Sequence, residues 1–174
     1  MINLLRQPNK MSLLFMNAEN KKYLSLIILI VLLIAIGGVI GFFTKPEIST
    51  WYSALNRSTL TPPNYVFPVA WTILYGIIGV CGWLIWRASS FPKLSIIKTL
   101  YALQLILNWS WTPLFFYYHL TGLALVVLGA MDILVCSLIC LAYQKMRAVS
   151  LLMIPYLLWI LFATYLNFYI WQYN

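Results

Sequence analysis

Residues 23–43 read YLSLIILIVLLIAIGGVIGFF, 21 positions without a charged side chain. About 20 apolar residues at about 1.5 Å of helical rise each cross the hydrocarbon core of a bilayer, so this stretch predicts a transmembrane helix. It is too long for a signal-peptide core, and no small-residue cleavage pattern follows it, which predicts a retained helix. Four further stretches have the same character: 65–86, 99–120, 122–143 and 148–171. The expectation is an all-α integral membrane bundle of five transmembrane helices. A basic tail over 1–22, with Met11 and Met16 as alternative starts, precedes one transmembrane domain over 23–174 that carries a long first loop at 44–64.

Composition agrees with that reading. Hydrophobic residues make up 63% of the 174 and charged ones only 8%, where soluble domains carry roughly 25% charged residues. A net charge of +8 raises the question of nucleic acid, but the eleven basic residues follow membrane topology instead. With five spans, Arg6, Lys10, Lys21, Lys22, Arg87, Lys93, Lys98, Lys145 and Arg147 fall on one side and only Lys45 and Arg57 on the other. The positive-inside rule then predicts a cytoplasmic N-terminus and an external C-terminus. The partner this implies is the lipid bilayer, with no nucleic acid.

Cys81, Cys136 and Cys140 all lie inside expected spans, which argues against an extracellular disulfide framework. Cys136 and Cys140 share a face of the fourth helix, but no His or further Cys stands nearby to complete a metal site, so they read as small packing residues. No metal is expected. Trp and Tyr at the segment ends, such as Trp83, Trp86, Tyr117, Tyr118, Trp171 and Tyr173, are the interfacial belt of a membrane protein.

The polar and large aromatic groups well inside the spans are more informative, because each polar group in a hydrocarbon core is costly unless partnered. They are Trp71, Tyr75, Gln104, Asn108, Ser110, Trp111, Thr112, Asp132, Trp159, Thr164 and Asn167. Measured from the external end of each segment, Trp71 and Trp111 lie at a depth of about 10 Å, Asn108 and Asp132 at about 15 Å, Trp159 at about 18 Å and Asn167 at about 6 Å. They share one half of the membrane. Spacings of three or four residues align Trp71 with Tyr75, Asn108 with Trp111 and Phe115, and Trp159 with Ala163 and Asn167. Two readings fit: a pocket walled by indoles under the first loop, with Ala163 leaving room for a flat, conjugated guest, or packing in which amides bond across helices. Asp132, the only acid in any span, serves either as a structural hydrogen-bonding group or in a proton or ligand role. Gly37 and Gly41 mark either close packing within the bundle or a dimer face.

Four motifs in order then carry a family likeness. They are Trp51-Tyr52-x-x-Leu55 with Thr61-Pro62-Pro63; Phe67, Trp71, Leu74 and Tyr75; Gln104-Leu105-x-x-Asn108-x-x-Trp111-x-Pro113-x-Phe115-Phe116; and Pro155-Tyr156-x-x-Trp159-x-x-Phe162-Ala163-Thr164-x-Leu166-Asn167. From about Gly37 onward the chain resembles the translocator protein and tryptophan-rich sensory protein family, as a bacterial-type member. The resemblance implies a five-helix bundle, a homodimer, in a bacterial inner membrane, binding porphyrins and other planar aromatic small molecules with no cofactor required. It also implies a ligand site of Tyr52, Trp71, Asn108, Trp111, Trp159, Ala163 and Asn167. Some bacterial relatives promote light-dependent porphyrin breakdown, for which Trp71 and Trp159 are the matching candidates. Where the family has Lys-Pro-Ser-Trp before its Thr-Pro-Pro, this chain has Arg57-Ser58-Thr59-Leu60, without the proline that stiffens the loop. The C-terminal end lacks the basic residue of a sterol-recognition pattern, so sterol transport is not expected.

Three functions follow as expectations. The first is a tetrapyrrole-binding membrane protein for sensing, sequestration or transfer, with Lys45 or Arg57 meeting propionates and His119 a solvated loop residue. The second is photo-oxidative porphyrin degradation, since no nucleophile, base and metal set of an ordinary enzyme is present. The third is a transporter of an apolar ligand, for which the chain shows no internal repeat.

Overall fold

The computed structural model describes the backbone from Lys10 and the side chains from Lys21, both through Asn174. The tail over 1–9 lies outside the described residues. Helix α1 spans Lys10–Ser49, α2 is the single turn Trp51–Ala54, α3 spans Val66–Arg87, α4 Leu94–Thr112, α5 Thr121–Ala142 and α6 Arg147–Tyr173. A five-residue π-helical turn, Pro113–Tyr117, continues α4. There is no strand among the described residues.

Helix α3 starts and ends within one residue of the expected span, but α1 does not stop at Phe43. It runs six residues further, through Pro46. A proline inside a helix removes one backbone donor and usually breaks the turn. Here hydroxyls hold the carbonyls instead: Thr44 Oγ1 donates to the Ile40 and Gly41 carbonyls (3.1 and 3.2 Å), and Ser49 and Thr50 both donate to that of Pro46 (3.0 Å each). The loop expected over 44–64 is therefore shorter, and α2 takes up part of it. At the other proline, Pro113, the α4 ladder widens rather than ends: Tyr118 N–H donates to the Pro113 carbonyl five residues back (3.0 Å). The chain then reverses at His119, whose φ of 55° is in the left-handed region. That single residue lets α5 start at Thr121, so α4 and α5 are antiparallel neighbours.

Four helical stretches are long and apolar enough to cross a membrane: Lys21–Ser49, Val66–Arg87, Thr121–Ala142 and Arg147–Tyr173. The expected fifth, around α4, does not meet that description on composition. Its 19 residues include Lys98, Gln104, Asn108, Ser110 and Thr112. Gln104 and Asn108 are buried inside the protein, so the polarity of α4 faces its neighbours.

Helix α3 packs on α1 and α6, α5 on α6 and α4, and α4 with its π turn reaches back to α1, closing a ring of five long helices. One half of that ring is solid. Ile78, Cys81, Ile85, Ile97, Leu128, Val135, Leu138, Met153 and Ile160 have no exposed surface there. Close approach of α1 and α3 depends on Gly79, where an added Cβ would stand 3.2 Å from Ile30 Cα, and on Gly37, which lies against the Tyr75 ring. Gly41 has nothing beside it, so the two glycines serve different ends: Gly37 packs within the bundle and Gly41 leaves open space. Outward faces present Ile27, Val31, Ile73, Val126, Ile133 and Leu158, as a lipid solvent requires. Only Cys81 packs in the core; Cys136 and Cys140 are exposed, which corrects their reading as packing residues.

Candidate ligand pocket

The other half of the ring is hollow. A cavity of about 1090 Å³ lies between α1, α3, α4, α6 and the lid that follows α1. Small residues on one side and rings on the other create it. Gly37, Gly38 and Gly41 give α1 a bare face, Ala163 does the same for α6, and Trp71, Tyr75, Trp111 and Phe115 supply the aromatic walls. The Trp71 ring lies 5.7 Å from that of Tyr75, and Trp111 stacks on Phe115 at 5.4 Å with 24° between planes.

Polar groups in the walls are mostly spent on one another. Tyr75 Oη donates to Asn108 Oδ1 (2.7 Å), Asn108 Nδ2 to Tyr156 Oη (3.1 Å), and Tyr156 Oη to Gln104 Oε1 (2.8 Å), tying α3, α4 and α6 beneath the cavity. Trp111 Nε1 donates to Asn167 Oδ1 (3.1 Å), while Asn167 Nδ2 donates to the Thr121 carbonyl (2.8 Å) in the first turn of α5. The two sequence readings, pocket and packing, are thus both realised by the same residues. The amides orient the wall, and the surface left for a guest is apolar and aromatic.

Of the seven expected site residues, Tyr52, Trp71, Asn108, Trp111, Ala163 and Asn167 line this cavity. Trp159 does not. Its ring lies against Phe67 (6.1 Å) and Phe162 (6.0 Å), so Phe67 forms the wall and Trp159 stands next to it, with its indole nitrogen buried and unpartnered. Helical spacing placed Trp159 on the face of Ala163 and Asn167, but a ring from α3 occupies the space in front of it. Asp132 is outside the cavity as well; Thr164 Oγ1 donates to its Oδ2 (2.8 Å), a structural contact between α5 and α6. Sequence reasoning missed the α1 wall. The repeated small residues at 37, 38 and 41 followed by Thr44 were the available signal.

The lid is held from several directions. Tyr52, 5% exposed, rests its ring on Phe115 (6.2 Å) and Phe116 (5.4 Å), with the Arg57 guanidinium 5.1 Å above it. Burial pushes the Tyr52 hydroxyl above its usual range, against the opposing pull of Arg57, so it stays a neutral phenol at physiological pH. Asn56 is bound to the end of α6: its N–H donates to Asn174 Oδ1 (2.8 Å), and Asn174 Nδ2 returns to the Asn56 carbonyl (3.1 Å). Ser58 and Tyr165 share a hydrogen bond of 2.9 Å. These bonds secure the loop where the stiffening proline is absent. His119 is more than a solvated residue: it stacks on Trp51 at 4.1 Å, and its Nε2 lies 3.3 Å from Glu47 Oε2.

Comparison with known proteins agrees with this arrangement. The family model described as TspO/MBR family matches residues 27–172. The tryptophan-rich protein TspO of Archaeoglobus fulgidus is 40% identical over 87% of this chain and 97% of its own length. The translocator protein of Bos taurus is 35% identical over 82% and 86%, and the tryptophan-rich sensory protein of Cereibacter sphaeroides 34% over 74% and 78%. With its motifs, its ring of helices and its lidded aromatic cavity on the page, this chain belongs to the TspO/MBR family.

Proposed function

We propose that this membrane protein binds a flat aromatic ligand of the protoporphyrin type in the cavity beneath the lid, and so senses, sequesters or hands over tetrapyrroles. The observation that carries the reading is the cavity itself: about 1090 Å³, at the upper end of the roughly 300–1,000 Å³ of small-molecule sites, with walls of indole and phenyl rings. Rings offset-stack on such walls, and the engaged amides leave little that an aliphatic polar ligand could use. Lys45 at the rim is the cation placed to meet a propionate; Arg57 is occupied with Tyr52 instead. Relatives named as sensory and translocator proteins support a role in sensing or transport.

The same reading takes α4 with its π turn, Leu94–Tyr117, as a fifth crossing, since its polar side chains are satisfied inside the bundle. It also places the homodimeric chain in a bacterial inner membrane with the basic end in the cytoplasm. Titration of the purified protein with protoporphyrin should quench tryptophan fluorescence saturably. Trp71→Ala with Trp111→Ala should weaken binding at least tenfold, at about 1 kcal/mol per lost aromatic contact. Unchanged affinity in that double variant rules the cavity out as the binding site.

A further inference from the structure

At the end of the bundle opposite the lid, Trp83 of α3 lies between two cations. Lys22 Nζ from α1 is 5.6 Å from its ring centroid and Arg87 Cζ from α3 is 5.0 Å. The indole cannot turn away, because its Nε1 donates to Ser25 Oγ (3.2 Å), which in turn donates to the Lys22 carbonyl (2.7 Å). Cation–π contact orients an ammonium or guanidinium without using its N–H donors. Among the described side chains, no carboxylate forms an ion pair with either residue: of the two described acids, Glu47 pairs with His119 at the lid and Asp132 bonds to Thr164 inside the bundle. Glu19, one turn before Lys22, lies outside the described side chains. Two oriented cations with donors to spare therefore stand at the membrane edge, where lipid phosphates lie.

We infer that Lys22, Trp83 and Arg87 form a binding site for an anionic phospholipid, whose phosphate bridges α1 and α3 and whose acyl chains run along α1. A guanidinium accepts phosphate in bidentate geometry and an ammonium completes the contact as a point charge. The acyl surface is present: Leu24, Ile27, Ile28 and Val31 continue from Lys22 along the exposed side of α1. The site also has something to stabilise. Helix α1 buries only Leu33 and Thr44 among its described residues, so a phosphate shared with α3 adds a tie where the two helices have few.

The test reconstitutes the full chain in nanodiscs of phosphatidylcholine with and without phosphatidylglycerol, and counts retained lipids by native mass spectrometry. Wild type should retain phosphatidylglycerol over phosphatidylcholine by about tenfold or more, from roughly one favourable contact per cation. Lys22→Gln with Arg87→Gln should abolish that preference. Lys93→Gln with Lys98→Gln, which removes equal charge from the same end, should keep it. Equal loss in both double variants means a diffuse basic surface and overturns the site, as does equal retention of both lipids by wild type. Soluble glycerol phosphate should not displace the lipid; displacement by it overturns the lipid as occupant. Should the first double variant fail to fold, wild type with a photoactivatable acyl chain on phosphatidylglycerol decides. Crosslinks within 24–31 support the site, and crosslinks only elsewhere overturn it.

Discussion

Each pocket side chain serves two purposes, and substitutions can separate them. Ala163 marks a place where volume is missing, so Ala163→Phe should fill the cavity and lower protoporphyrin affinity at least tenfold. The thermal midpoint should move by no more than a few degrees, because the added ring enters empty space. Asn108 is the converse case. Asn108→Leu leaves the buried Tyr75 hydroxyl without its acceptor and should destabilise the protein by about 1–3 kcal/mol, measured by denaturation in mild detergent. Adding Tyr75→Phe should recover part of that loss, since both partners are then apolar. These positions are readable in the sequence because rise and three-to-four spacing fix depth and face. Trp159 shows the limit of such geometry: its face is correct, yet the ring of Phe67 from another helix stands between it and the cavity. The stacked and paired contacts of His119 are not legible at all, because Glu47 lies 72 positions away and no local pattern joins them.

Helix ends are where expectation and structure part most. Hydropathy ends α1 at Phe43 because Thr44-Lys45-Pro46-Glu47 looks like a turn, but hydroxyl-to-carbonyl bonds carry the helix on to Ser49. The π turn after Thr112 is similarly hidden, since proline signals a break without saying how the chain resolves it. The lid depends on contacts from the far end of the chain. Asn174→Ala removes both side-chain bonds to Asn56 while leaving α6 and the cavity walls in place. Ligand dissociation, followed by recovery of tryptophan fluorescence after dilution, should therefore speed up about five- to tenfold, at roughly 1 kcal/mol for the net loss. A second element-scale prediction concerns α1 and α3. Gly79→Leu drives a side chain into the Ile30 backbone and should cost about 1–3 kcal/mol, whereas Gly41→Ala, with open space around it, should leave stability unchanged.

At the scale of the whole molecule, the ring of five long helices divides into a solid half and a hollow half, and the charge follows the same axis. Lys21, Lys22, Arg87, Lys93, Lys98, Lys145 and Arg147 stand at the solid end, while the lid, with Lys45 and Arg57, closes the hollow one. Hydropathy alone made the membrane class and four of the long helices plain. It undercounts the polar α4, whose amides are hidden by neighbours that hydropathy does not see. The number of crossings is therefore the property on which topology turns. If Leu94–Tyr117 crosses with the other four, the count is odd and the two termini lie on opposite sides of the membrane. A phosphatase reporter, active only outside, should be active when fused after Asn174 and inactive when fused before Met1, while a fluorescent protein that folds only in the cytoplasm should show the reverse. Both termini reporting from one side would mean that α4 does not cross, and with it the cavity's opening would no longer sit at the external face.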